Sequence, residues 1–174
     1  MTAGGFLGAV LARQRYDYAS RAWTHGNITS AISAGAGAGL LCAMGDFTAS
    51  VTVSGNLSRI LVRGNMSSST LLLSDGNLSV LQVLGSVESS SMNVCGQLGV
   101  IAVGRDFWNT SVDAGSLRAV RVRGQIGEDD TDGDADEIRA RDGRFWVRDA
   151  DEWAWIDGTS SSCLGNVSCV VGAP

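Results

Sequence analysis

Four aspartates are the residues whose types and spacing most directly imply chemistry. Asp130, Asp132, Asp134 and Asp136 stand at every second position in the acidic run from Glu128 to Glu137. Carboxylates gathered on one short loop supply the hard oxygen donors that calcium takes. The spacing departs from a helix–loop–helix calcium site. Gly133 follows the second acid instead of the third, and no bidentate glutamate closes the loop. Two expectations stand side by side: a calcium loop, or a solvated acidic excursion. Calcium apart, no cofactor is expected.

The cysteines come next. Cys163 and Cys169, in CLGNVSC, are spaced to close a small disulfide loop, which would place the chain in an oxidising compartment. No CxxC pair is present, so a zinc site is not expected. The single histidine, His25, has no partner in sequence from which to build a triad. No phosphate loop, nucleophile elbow or HExxH motif occurs. GAGAG at 35–39 is glycine-rich but lacks a following lysine. No catalytic residue is expected.

The elements that must position these groups are written in a repeat. From Gly45 to Gly124 the chain divides at its glycines into alternating short and long units. Short units begin at Gly55, Gly76, Gly96 and Gly115, and long units at Gly45, Gly64, Gly85 and Gly104. One pair spans about 20 residues, a period typical of stacked repeats. In the short units apolar residues fall two, five and seven places after the glycine: Leu57, Ile60, Val62, then Leu78, Leu81, Val83. In the long units the pattern ends in Leu71 and Leu73, or Met92 and Val94. Apolar residues two apart mark a strand with one buried face. Glycine at each boundary fits a corner, where positive φ is tolerated.

A meander would give strands of this length too. Only stacked parallel coils, about 4.8 Å apart, make like residues recur at one period. The expected fold is all-β: a single-stranded parallel β-helix of about 20 residues per coil. Leu57, Leu78, Leu98 and Leu117 would form one ladder. Residues 26–158 make up the β-helix, with the acidic insertion at 128–137. Residues 36–44 read as a thin first short unit, with Ala38, Leu41 and Ala43 in the apolar positions. Cys42 and Cys95 would then lie three coils apart, roughly 14 Å, beyond the reach of a disulfide.

Residues 1–25 read as a separate cap. Phe6, Leu7, Val10 and Leu11 fit a short amphipathic helix covering the open end of the stack. At the other end, Trp146, Trp153, Trp155 and Ile156 read as an aromatic plug. Residues 159–174 form a polar tail.

Several signals are read as by-products of the repeat. Six N-x-S/T sequons occur, but those at Asn27, Asn56, Asn65 and Asn77 directly follow a corner glycine, where asparagine caps backbone groups. Ser67–Ser69 and Ser89–Ser91 would stack on one edge as a hydroxyl array, able to meet a glycan or to form a solvated turn. Outward positions of the short units carry Leu61, Val80, Leu84 and Val100, an apolar strip suited to self-association or to a protein or glycan surface. The net charge of −5 argues against nucleic acid as a partner. No apolar run is long enough for a membrane span, and the apolar stretch ending at Ala12 lacks the basic flank of a signal peptide.

The units GNLSRILVRG, GNLSVLQVLG and GSLRAVRVRG resemble the glycine-rich parallel β-helix repeats of large bacterial surface or secreted proteins. The resemblance covers about residues 26–148. It implies a non-enzymatic scaffold or adhesion segment, extracellular or at the cell surface. The coils are also similar to those of bactofilins, which implies a cytoplasmic filament former. The two-glycine coil, the acidic insertion and the tryptophan-rich end depart from that pattern. A polysaccharide-active β-helix enzyme is the remaining alternative.

Overall fold

The computed structural model describes residues 1–17, 22–127, 137–149, 152–156 and 168–171. Among these residues the chain is all-β, without a helix. In chain order the strands are β1 (Thr2–Ala3), β2 (Phe6–Ala12), β3 (Arg15–Asp17), β4 (Ala22–Thr24), β5 (Ile32–Ala34), β6 (Gly37–Ala43), β7 (Ser50–Val53), β8 (Asn56–Val62), β9 (Met66–Ser67) and β10 (Thr70–Leu73). They continue as β11 (Leu78–Val83), β12 (Val87–Glu88), β13 (Ser91–Val103), β14 (Phe107–Trp108), β15 (Ser111–Val122), β16 (Glu137–Asp142), β17 (Phe145–Asp149), β18 (Glu152–Ile156) and β19 (Ser168–Val171).

The strands form three walls around one core. Short units supply the first wall: β2, β6, β8, β11, the second halves of β13 and β15, and β17. Long units supply the second: β1, β5, β7, β10, the first halves of β13 and β15, then β16 and β19. The third is narrow, built from β9, β12 and β14 and extended by bridges linking Ile28, Phe47 and Met66, and Phe107 with Ile126. All pairings within the walls are parallel. Among the described residues, the antiparallel pairs are the β3–β4 and β17–β18 hairpins. A meander is thereby excluded.

Register follows the apolar template. Leu57 pairs with Leu78, Leu78 with Leu98, and Leu98 with Leu117, all buried. Burying each such leucine contributes about 1.5–3 kcal/mol, which fixes the register against slips. Ala38, Leu41 and Ala43 pair with Leu57, Ile60 and Val62, so the thin unit at 36–44 is part of the stack. After the acidic run the stack resumes: Ile138 lies against Val112 and Ala140 against Ala114.

Three expectations are corrected. The N-terminal helix is instead strand β2, paired in parallel with β6. Counting from Gly5, its Leu7, Val10 and Ala12 occupy the same three template positions as Leu78, Leu81 and Val83. They pack on the core, while Phe6 and Leu11 point outward at 65% and 46% exposure. The tryptophans do not plug the end of the stack. Phe145, Val147 and Ile156 turn inward, leaving Trp146, Trp153 and Trp155 exposed. Finally, most corner glycines are not there for positive φ. Among the described residues only Gly37, Gly127 and Gly143 adopt it. The left-handed positions recurring at corners belong instead to Ser68, Ser89 and Asn109. What the glycines provide is close approach: a Cβ on Gly76 would run into the Gly55 carbonyl of the preceding coil.

Candidate functional site

The outward face of the short-unit wall carries two ladders. Strand alternation interrupted after the third place of the template puts the fourth and sixth residues after each glycine on this face. One ladder runs Leu40, Arg59, Val80, Val100, Ala119 and ends in Trp146 and Trp155. The other runs Cys42, Leu61, Gln82, Ala102, Arg121 and ends in Arg148 and Trp153. Leu61, Val80 and Val100 lie in these ladders, half-buried by their neighbours. Leu84 stands apart at the corner beside Gly104 and Arg123, 47% exposed. The apolar strip is therefore shallow and interrupted by Arg59 and Gln82, and it leads through Ala102 and Ala119 toward the aromatic end.

The β17–β18 hairpin builds that end. Trp146 pairs with Trp155 and Arg148 with Trp153 across the antiparallel strands. The three indoles are 43%, 50% and 40% exposed for Trp146, Trp153 and Trp155. Trp146 and Trp155 lie tilted with centroids 4.4 Å apart, and Trp146 meets Trp153 edge-on at 6.1 Å. Arg121 and Arg148 both hold their guanidinium groups over the Trp153 ring, at 5.8 and 5.3 Å from its centroid. Such cation–π contacts contribute about 0.5–1 kcal/mol at exposed sites. Arg118, Arg123 and Arg144 are exposed on the same units, with Asp142 exposed beside Arg144, so charges of both signs surround the indoles. Glu152, at the hairpin's end, is an exposed carboxylate, opposite Asp149 on the paired strand.

A second feature is the hydroxyl corner. Residues 68–70, 89–91 and 109–111 line a groove of about 530 Å³. Its inner rung is committed to structure. Ser69 N–H donates to Ser90 Oγ, and Ser90 N–H to Thr110 Oγ1, each at 3.3 Å. Ser90 Oγ donates to the Glu88 carbonyl at 2.8 Å. The outer rung is looser, with Ser91 and Ser111 hydroxyls 3.3 Å apart. The inner hydroxyl residues are buried and spent on the turn itself, not solvated.

The long-unit wall holds a polar cluster. Arg141 donates to both oxygens of Asp113, from Nε at 3.2 Å and Nη2 at 2.6 Å. This hydrogen bonding, and then the charge of Asp113, hold the Arg141 guanidinium more firmly protonated than usual. The fork staples β16 to β15.

Four of the six sequon asparagines bond the stack. Asn27, Asn56, Asn65 and Asn77 each accept, through Oδ1, the backbone N–H of a residue one coil on. Asp46 and Asp106 do the same for Asn65 and Gln125. Asn166 lies outside the described residues, as do Asp130, Asp132, Asp134, Asp136 and Cys163. Cys169 is buried and disulfide-bonded, whereas Cys42 and Cys95 are free. His25 is exposed. No helix among the described residues is long and apolar enough to cross a membrane.

Sequence reasoning found the apolar strip but missed the pairing of Arg121 and Arg148 around Trp153. The signal was available in part: alternation from Phe145 and Val147 places Trp146 and Arg148 outward. No protein-family description, characterised protein or solved structure matches this chain.

Proposed function

We propose that the chain is a non-enzymatic interaction module, a single-stranded parallel β-helix used as a scaffold or adhesion segment at a bacterial surface or in secretion. The observation that carries this reading is the pair of outward ladders, which present aliphatic side chains, arginines and tryptophans in register along one wall. These groups bind by area, stacking and charge. None is a general acid or base near neutral pH. We further propose that Cys163 is the partner of Cys169, consistent with an oxidising compartment.

The test is co-sedimentation of the purified chain with protein-stripped bacterial envelope polysaccharide. Binding without release of soluble sugar is expected, weakened when Val80 and Val100 are both replaced by Asp. Release of sugar would move the chain to the polysaccharide-active class. Absence of binding would remove the module reading.

A specific observation keeps the filament reading as the second one. Among the described residues β2 pairs with β6 alone and has an open edge on its other side, beside exposed Phe6 and Leu11. An open strand edge is a template for another chain. Filaments of the purified protein in negative-stain electron microscopy would favour it over a dispersed module.

A further inference from the structure

We infer that the tryptophan–arginine end of the ladder face is a binding site for an acidic polysaccharide, recognised through its carboxylate-bearing sugar rings. This inference rests on the interaction-module reading and names its ligand class.

Two independent observations converge. The first is the aromatic surface. Three indoles stand exposed on one two-stranded hairpin, although strand alternation offers a buried face that Phe145, Val147 and Ile156 fill instead. Water-exposed indole area of this kind is normally found where a flat, partly apolar face docks. The C–H face of a pyranose ring is such a surface, and it leaves the ring's polar substituents at the edge.

The second is charge. Arg121 and Arg148 are directly opposite each other on adjacent parallel strands. Like charges in that position destabilise a sheet. The ion pairs among the described residues are Arg139–Glu137 and Arg141–Asp113, so neither of these two arginines is neutralised in that way. Trp153 holds both guanidinium groups over one ring. Neither guanidinium has an ion pair or hydrogen bond to a described residue, so each keeps its planar N–H fork, which matches a carboxylate bidentately. An indole surface beside two forks fits a uronate residue: ring against the exposed indoles of Trp146 and Trp155, carboxylate on Arg121 and Arg148, which Trp153 holds in place. A neutral sugar would use the stacking and leave the arginine pair unrelieved.

The experiment is titration of the full chain with an oligogalacturonate, followed by tryptophan fluorescence and calorimetry, beside an uncharged cello-oligosaccharide. Quenching by the oligogalacturonate is expected, weakening as salt is raised. Arg121→Gln and Arg148→Gln should each reduce affinity about tenfold, the size of one lost charge-assisted hydrogen bond. Trp153→Ala should do the same, and Glu152→Gln should tighten binding. Unchanged melting temperatures would show that the variants fold, and Arg148→Lys retains the charge without the fork. Equal binding of both sugars, or arginine variants that bind like wild type, would overturn the inference and leave the module reading intact. Envelope binding with no response to either sugar would likewise overturn only the inference. Failure of the chain to bind envelope as well would remove both.

Discussion

The carboxamide oxygen of Asn65 occupies the space that a Cβ on Gly85, one coil further along, would need. Asn65 Oδ1 accepts the Ser86 N–H at 3.0 Å, so asparagine in one coil requires glycine in the next. The same relation joins Asn27 to Gly45 and Asn77 to Gly96. The recurring Gly-Asn dipeptide is thus a stacking rule.

Gly85→Ala should therefore be costly. The new Cβ would also stand 2.6 Å from the Gly64 carbonyl, so the clash is with backbone and cannot be relieved by a rotamer change. A loss of about 1–3 kcal/mol is expected in urea melts. Gly4→Ala, where a Cβ meets open space, should stay within about 0.5 kcal/mol of wild type. Equal effects at the two sites would contradict the stacking rule.

Asn77 gives the complementary test. Its Oδ1 accepts the Gln97 N–H at 2.6 Å, and its own Nδ2 donates to Asn56 Oδ1 at 3.2 Å. Asn77→Ala should cost about 0.5–1.5 kcal/mol, the usual net worth of a hydrogen bond. Asn77→Asp keeps the acceptor, as Asp46 and Asp106 do in the long units, and should cost less. If aspartate and alanine destabilise equally, the acceptor role is wrong. Mass spectrometry of protein secreted from a glycosylating host offers a second readout, since an asparagine already bonded to the next coil is expected to carry little glycan.

Much of this fold is legible because the repeat states each side chain's address more than once. Leu57, Leu78, Leu98 and Leu117 occupy one template position, and that recurrence alone points to parallel stacking. Local patterns mislead. Phe6, Leu7, Val10 and Leu11 satisfy a helical period as well as a strand. The template counted from Gly5 decides between them, because it assigns Leu7 and Val10 inward and Phe6 and Leu11 outward. The tryptophans mislead by size. Large aromatics read as core, but the antiparallel register of β18 on β17 decides their face, and a hairpin register depends on turn geometry that the repeat does not encode.

The ladder position of Leu7 predicts a gradient in stability. Leu7 and Leu78 are two places after their glycines, but Leu78 is fully buried between coils while Leu7 is only partly covered. Leu78→Ala should cost about 2–5 kcal/mol. Leu7→Ala should cost distinctly less, because the edge site already has solvent on one side. Chemical denaturation of both variants checks this, and the reverse order would mean that another surface covers β2 in solution.

The cysteines offer a chemical test. Cys95 is exposed, Cys42 half-buried, and Cys169 buried and disulfide-bonded. A thiol reagent should react with Cys95 first and Cys42 more slowly, reaching two equivalents on the native oxidised chain. Non-reduced peptide mapping should recover Cys163 joined to Cys169. Among the described strands β19 pairs with β16 alone, and it buries Cys169 in the core, so the bridge is one of a few ties on the last strand. Reduction should therefore lower stability by about 2 kcal/mol, the loop-closure value for so short a link. A third reactive thiol in protein purified without reductant would break the disulfide assignment, and with it the chemical argument for export.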